Sequence, residues 1–124
     1  MEPTAVSQAI LGGLIADDTR SDEVVASVTA WIGAHADRVG RHTVAWTAAK
    51  SVELGLDAID AGAAAVPTAA QLRVFRTLPV GSRVVVALHE FCGLDDDEVA
   101  RVTARPIAEV KGLLDTVGDD VAPV

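Results

Sequence analysis

The segment from Leu78 to Val117 carries apolar residues at helical spacing in three short stretches. Gly93 separates the first two stretches, and residues 103–106 (Thr-Ala-Arg-Pro) separate the last two. Glycine adopts the left-handed conformation that ends a helix without strain, and proline is tolerated in the first turn of a helix. The pattern therefore predicts three helices, the last two joined by a four-residue hinge, as in a helix-turn-helix.

Further cues in this segment agree with that arrangement, and the small Ala100 is expected to be buried where the last two helices meet. An acidic run before the second helix suits the positive end of the helix dipole, and the spacing of Ile107, Val110 and Leu114 puts them on one face of the third. The cues in chain order are Leu78-Pro79, Phe91, Gly93-Leu94, Asp96 to Glu98, Ala100, Pro106-Ile107 and Val110-Lys111. Together they resemble region four of bacterial sigma factors, particularly the extracytoplasmic-function type. The resemblance covers about forty of the 124 residues and implies a DNA-binding domain that acts with RNA polymerase.

The charge of the segment departs from that family. Its third helix should carry hydroxyl and basic side chains for phosphates and base edges, whereas Arg101, Arg105 and Lys111 are the candidate DNA-binding residues here. From Val66 to the C-terminus there are six basic residues against nine acidic ones. Phosphate neutralisation dominates non-specific affinity, so we expect weak, salt-sensitive DNA binding at most.

Three interpretations of function follow, of which a small enzyme or ligand-binding bundle ranks last. In the first, the chain is a DNA-binding transcription regulator or sigma-like factor that acts with RNA polymerase on promoter DNA. In the second, the helix-turn-helix has lost its DNA surface and binds a protein: the polymerase, a sigma or anti-sigma partner, or a second copy. An exposed Leu113 would favour protein contact. Region two of the sigma family, with its basic and aromatic side chains, is not recognisable in the chain.

Composition limits the fold class, the cellular location and the kinds of function that the chain can have. Half of the residues are hydrophobic but 3% are aromatic, so small aliphatic side chains must form the core of an all-α helical bundle. The net charge of −8 disfavours nucleic acid and anionic membranes. A single cysteine, Cys92, fits a reducing cytoplasm, and no apolar stretch approaches the length of a membrane span. His89 and Cys92 form a conceivable nucleophilic pair, but packing is the commoner role; we predict no enzyme, metal or cofactor.

The N-terminal half is also predicted to be helical, in three segments. Thr4 caps the first, which runs to about Asp17; a break at residues 20–23 starts the second, which runs to about Val39; and the third covers Thr43 to about Ile59. Residues 60–67, rich in small residues, form a linker to a helix capped by Thr68. The predicted regions are therefore an N-terminal helical region at 1–62, the helix-turn-helix domain at 66–118 and a flexible tail at 119–124.

The first helix is predicted to contact a partner protein. Its apolar residues Val6, Ile10 and Leu14 lie about one turn apart and exceed what one neighbouring helix can cover. We therefore expect them to pack against a partner, most simply a second copy in a homodimer.

Overall fold

The computed structural model describes the backbone of residues 2–121 and the side chains of residues 2–117, and all regular structure in that part of the chain is helical. This confirms the predicted all-α class. The eight helices are α1 (Pro3–Leu14), α2 (Asp18–Ala34), α3 (Ala36–Val39), α4 (Thr43–Asp60), α5 (Ala69–Thr77), α6 (Val80–Glu90), α7 (Asp96–Thr103) and α8 (Ile107–Val121).

The boundary between the first two helices lies earlier than predicted. Helix α1 ends at Leu14 because Ile15 adopts an extended conformation and forms an antiparallel bridge with Ala65. Asp17 then caps α2, with its carboxylate accepting hydrogen bonds from the amides of Thr19 at 2.9 Å and Arg20 at 3.2 Å. The predictions of a first helix reaching Asp17 and of a break at residues 20–23 were wrong, because a pairing partner fifty residues away ends α1.

The predicted second helix is interrupted at His35. This residue leaves helical geometry (φ −119°, ψ 30°), and its imidazole Nδ1 lies 2.8 Å from the carbonyl oxygen of Trp31 while the ring stacks on the indole at 4.1 Å. A single turn, α3, follows and stops at Gly40, whose φ of 52° favours glycine. Helix α4 then begins at Thr43, as predicted.

The segment between α4 and α5 is anchored to the N-terminal half of the chain. The amide of Ala16 donates to the carbonyl of Ala64, and the amide of Val66 donates to the carbonyl of Leu14, both at 2.9 Å. Thr68 then caps α5 in a reciprocal pair of bonds with Gln71, which confirms the predicted cap. The hydrogen bonds of residues 64–66 therefore hold the predicted linker against the end of α1.

Four helices between Thr68 and Val117 confirm the prediction for the C-terminal half. Gly93, at φ 69°, lies in the turn that separates α6 from α7, and the carboxylate of Asp95 caps α7 by accepting from the amide of Glu98 at 2.9 Å. The three consecutive valines that start at Val84 are helical, in line with the prediction from their neighbours.

A single hydrophobic core joins the two halves of the chain. Helix α6 lies at its centre: Val85, Val86, Ala87 and Leu88 are all fully buried, as expected for a helix covered on every side. It packs against α1 and α4 from the N-terminal half and against α7 and α8 from the C-terminal half. The predicted regions 1–62 and 66–118 thus fold on one core.

The structure corrects the prediction for α1. Val6, Ile10 and Leu14 are fully buried by their own chain, because α2, α4 and α6 all pack on this helix. Gly55 of α4 allows the closest approach, since a Cβ there would lie 2.9 Å from Leu14 Cδ1. These three residues are therefore core residues and not a surface for a partner, and the argument for a homodimer from this helix fails.

The C-terminal end also differs from the prediction. Helix α8 runs to Val121, so residues 119–121, predicted as part of a flexible tail, have helical backbone. The rest of the predicted tail, residues 122–124, lies outside the described part of the chain. In the described residues, no helix has both the length and the apolar content that crossing a membrane requires.

Candidate functional site

The hinge of the helix-turn-helix is built by a left-handed residue. Ala104 has φ 55° and ψ 38°, its amide donates to the carbonyl of Arg101 at 3.4 Å, and the next amide, of Arg105, donates to the carbonyl of Ala100 at 3.0 Å. This pair of bonds is the Schellman pattern, which usually has glycine at the left-handed position. The hinge therefore has a defined geometry, held at the expense of backbone strain in an alanine.

Arg105 is tied into the protein at the start of α8. Its guanidinium Nη1 lies 2.8 Å from the carboxylate of Glu109 in an i,i+4 ion pair. The other side of the guanidinium lies against Gly81 of α6, where a Cβ would collide with Nη2. Arg105 thus links α8 to α6, and much of its charge is already compensated by Glu109.

The other two candidate DNA-binding residues are exposed and free. Arg101 lies in the last turn of α7 and Lys111 in the second turn of α8, and neither has a carboxylate within 4.0 Å in the described part of the chain. The three predicted cations are therefore not equally available to a ligand. Arg101 and Lys111 are free, whereas the charge of Arg105 is partly neutralised by Glu109.

The outward face of α8 combines small and acidic side chains. Val110, Leu114 and Val117 point into the core, so helical geometry puts Ala108 and Gly112 at the centre of the opposite face. The side chains that flank this centre are Glu109, Lys111, Asp115 and Thr116, all of which are exposed. Asp115, Lys111 and the ion-paired Glu109 therefore border a shallow strip of small residues.

Two residues of α7 and α8 are neither fully exposed nor fully buried, as had been expected of one and of the other. Leu113, predicted as an interaction residue, is half-buried and packs against the edge of the core, so it is not an exposed anchor. Ala100, predicted to be buried between the last two helices, is also half-buried, and Val99 is the fully buried residue of α7. Ile107 is the large apolar residue of α8 that reaches solvent, with 38% of its surface exposed.

Sequence reasoning missed one group of cations. A groove of about 330 Å³ between the start of α4 and the end of α7 is lined by Arg41, His42 and Arg101, together with Thr43, Val44 and Val102. Arg41 and Arg101 are sixty positions apart, so no local pattern could have joined them.

The side chains of the conceivable nucleophilic pair have other partners. The thiol of Cys92 faces the carbonyl of Val6 at 3.8 Å, and His89 Nδ1 lies 3.0 Å from the carbonyl oxygen of Leu94. Burial raises the pKa of the Cys92 thiol from 9.0 to about 11. This shift disfavours the thiolate that a nucleophilic cysteine needs. Within the described residues, no group of three or more His, Cys, Asp or Glu side chains is placed to hold a metal ion.

Comparisons with protein-family models, with curated proteins and with solved structures found no match. The class that the fold itself defines is an all-α bundle with two helices, α7 and α8, joined by a tight left-handed hinge at its C-terminal end.

Proposed function

We propose that this chain is a transcription-associated helix-turn-helix protein whose α8 presents its outward face to a basic protein surface, RNA polymerase being the first candidate partner. The observation that carries the proposal is the charge of that face. Among its described residues Asp115 and Lys111 are the free charges, whereas Arg105 and Glu109 largely compensate each other, so the face lacks the excess of positive charge that DNA binding requires.

This charge pattern argues against α8 as a reader of DNA. A helix in the major groove lies between two phosphate backbones, and its affinity grows with each phosphate that a lysine or arginine neutralises. On α8, Lys111 provides one such contact, whereas Asp115 would repel the same backbone. The net charge of −8 adds a long-range repulsion that slows the approach to DNA.

The same features suit a basic protein partner. Ala108 and Gly112 let another helix approach closely, since helix axes come nearest where the facing side chains are small. Ile107, 38% exposed, offers an apolar contact at the start of the helix. Asp115 of α8 and the acidic first turn of α7, at residues 96–98, give electrostatic complementarity to lysines and arginines on the partner.

The test measures binding to purified RNA polymerase core enzyme and to duplex DNA side by side. We expect Asp115→Lys to weaken the polymerase complex about tenfold, because it replaces attraction by repulsion beside the centre of the contact. The same substitution should strengthen low-salt DNA binding. Asp22→Lys is the matched control: it makes the same charge change at an exposed site on α2 and should alter polymerase binding less than about twofold.

The proposal fails if both substitutions weaken the polymerase complex equally, since overall charge would then explain the effect. It also fails if the unmodified chain binds duplex DNA tightly and does not bind polymerase. Binding to an isolated sigma or anti-sigma protein instead of the core enzyme would reject polymerase as the partner while keeping α8 as the contact.

Direct DNA binding is the second candidate function, and the free side chains of Arg101 and Lys111 favour it. If it is correct, Arg101→Ala and Lys111→Ala each weaken binding to duplex DNA and reduce its salt dependence by about one phosphate contact. Arg105→Ala should have a smaller effect, because Glu109 already compensates that charge. Anisotropy titrations at several salt concentrations measure all three variants, and equal losses in all three would contradict this ranking.

A further inference from the structure

The groove between α4 and α7 collects positive charge on an acidic protein. Arg41 and His42 line it from the start of α4, and Arg101 lines it from the last turn of α7. None of the described residues that line it is acidic, although the chain has eighteen acids and ten lysines and arginines. The groove is therefore a local reversal of the overall charge, at a place where two parts of the chain meet.

Half of the lysines and arginines of this chain are engaged elsewhere. Four of the ten form ion pairs with nearby carboxylates, and Arg83 donates to the carbonyls that end α5. The other five have neither kind of partner in the described part of the chain, namely Arg38, Arg41, Arg73, Arg101 and Lys111. Two of these five line the groove, so its guanidinium groups are free to bind an anion.

The backbone around the groove offers unpaired amide donors, and several nearby carbonyls are already hydrogen-bonded. Among the described residues, the first-turn amides of Thr43, Val44 and Ala45 have no acceptor, and no side chain caps α4. On the opposite wall, three carbonyls in the last two turns of α7 are already hydrogen-bonded. The carbonyls of Ala100 and Arg101 accept from the hinge amides, and that of Val99 accepts from a threonine hydroxyl at 2.6 Å.

We propose that this groove binds a small phosphorylated molecule, with Arg41 and Arg101 holding its phosphate oxygens and His42 donating a further hydrogen bond. Guanidinium groups match the geometry of phosphate and bind it through paired, charge-assisted hydrogen bonds. The volume of about 330 Å³ exceeds that of a single phosphate group and lies at the lower end of the range for small-molecule pockets. This site is separate from the α8 face.

The test uses inorganic pyrophosphate as the probe, and its binding is measured by phosphorus NMR and by tryptophan fluorescence. Trp46 is a suitable reporter, because its amide bonds to the carbonyl of His42 one turn away at 3.0 Å. We expect saturable binding that Arg41→Gln and Arg101→Gln each weaken by about tenfold or more, since each removes a charged pair of hydrogen bonds. Arg73→Gln, which removes the same charge from an exposed and unpaired arginine of α5, should change affinity less than about twofold.

Three results would overturn the proposal. One is the absence of saturable pyrophosphate binding to the unmodified chain. Another is an equal loss in the Arg73→Gln control, which would indicate diffuse charge attraction. The third is that the chain does not bind pyrophosphate but binds duplex DNA through Arg41 and Arg101, because the groove would then contact the phosphates of a nucleic acid. Asp115→Lys should leave pyrophosphate binding intact, so this proposal and the α8 proposal fail independently.

Discussion

Two adjacent glycines in α1 should respond in opposite ways to the same substitution. Gly12 and Gly13 both lie inside the helix, where glycine costs about 1 kcal/mol relative to alanine. At Gly12 an added Cβ would meet nothing within 4 Å. We therefore expect Gly12→Ala to raise the free energy of unfolding by up to about 1 kcal/mol, the full gain in helix propensity.

At Gly13 the added methyl group has no room. A Cβ would lie 2.8 Å from Cε1 and 3.0 Å from Cγ of Phe91, and closer still to Cδ1. The ring cannot simply withdraw, because it stacks on the buried ring of Phe75 with centroids 5.8 Å apart. Overpacking of this kind costs about 1–3 kcal/mol, which exceeds the gain in propensity. Gly13→Ala should therefore lower the free energy of unfolding by about 1 kcal/mol, within a range of about 0 to 2.

Thermal and urea unfolding of the two variants measure this difference directly. One kcal/mol corresponds to about 4 °C in Tm for a chain of this size, so the two variants should differ by about 8 °C. A double-mutant cycle isolates the cause: in a Phe91→Leu background the loss from Gly13→Ala should shrink or disappear. If Gly13→Ala is as stable as Gly12→Ala, the close packing of α1 on the turn after α6 is refuted.

Two further predictions concern the hinge and the cysteine. Ala104→Gly should raise the free energy of unfolding by about 1 kcal/mol in denaturant melts, because it relieves a left-handed conformation with φ 55°; an unchanged or lower value would contradict the Schellman geometry. Burial raises the pKa of the Cys92 thiol to about 11, above its ordinary value of 9.0, so alkylation at pH 8 should be much slower in the folded chain than in urea. Since unfolding releases the thiol to ionise at its ordinary pKa, stability should also decline as pH rises from about 9 to about 11, and a Cys92→Ala variant should lack this part of the decline.

The C-terminal helices could be predicted from the sequence because their boundaries depend on local chemistry. Thr68 and Asp95 cap helices by bonding to amides three residues away. Gly93 supplies the positive φ of the turn before α7, and Pro106 directly precedes α8. Each of these signals acts within one helical turn, so the residues that carry it are adjacent in the printed sequence. The all-α class and the short hinge follow from them.

Tertiary structure alone decided the features that join distant residues. Helix α1 ends at Leu14 because Ile15 pairs with Ala65, and nothing in the sequence near Ile15 predicts that pairing. Its apolar residues are core residues because three helices converge on them, which periodicity cannot reveal. Periodicity identifies an apolar face but not the number of neighbours that cover it.

The candidate sites follow the same division. The sequence by itself determined which cations lie near the helix-turn-helix: Arg101, Arg105 and Lys111. The tertiary structure decided that Arg105 is paired with Glu109 and packed on α6, and that Arg101 shares a groove with Arg41. The physical reason is that charge is a property of single residues, whereas its availability depends on which side chains the fold brings within a few ångströms.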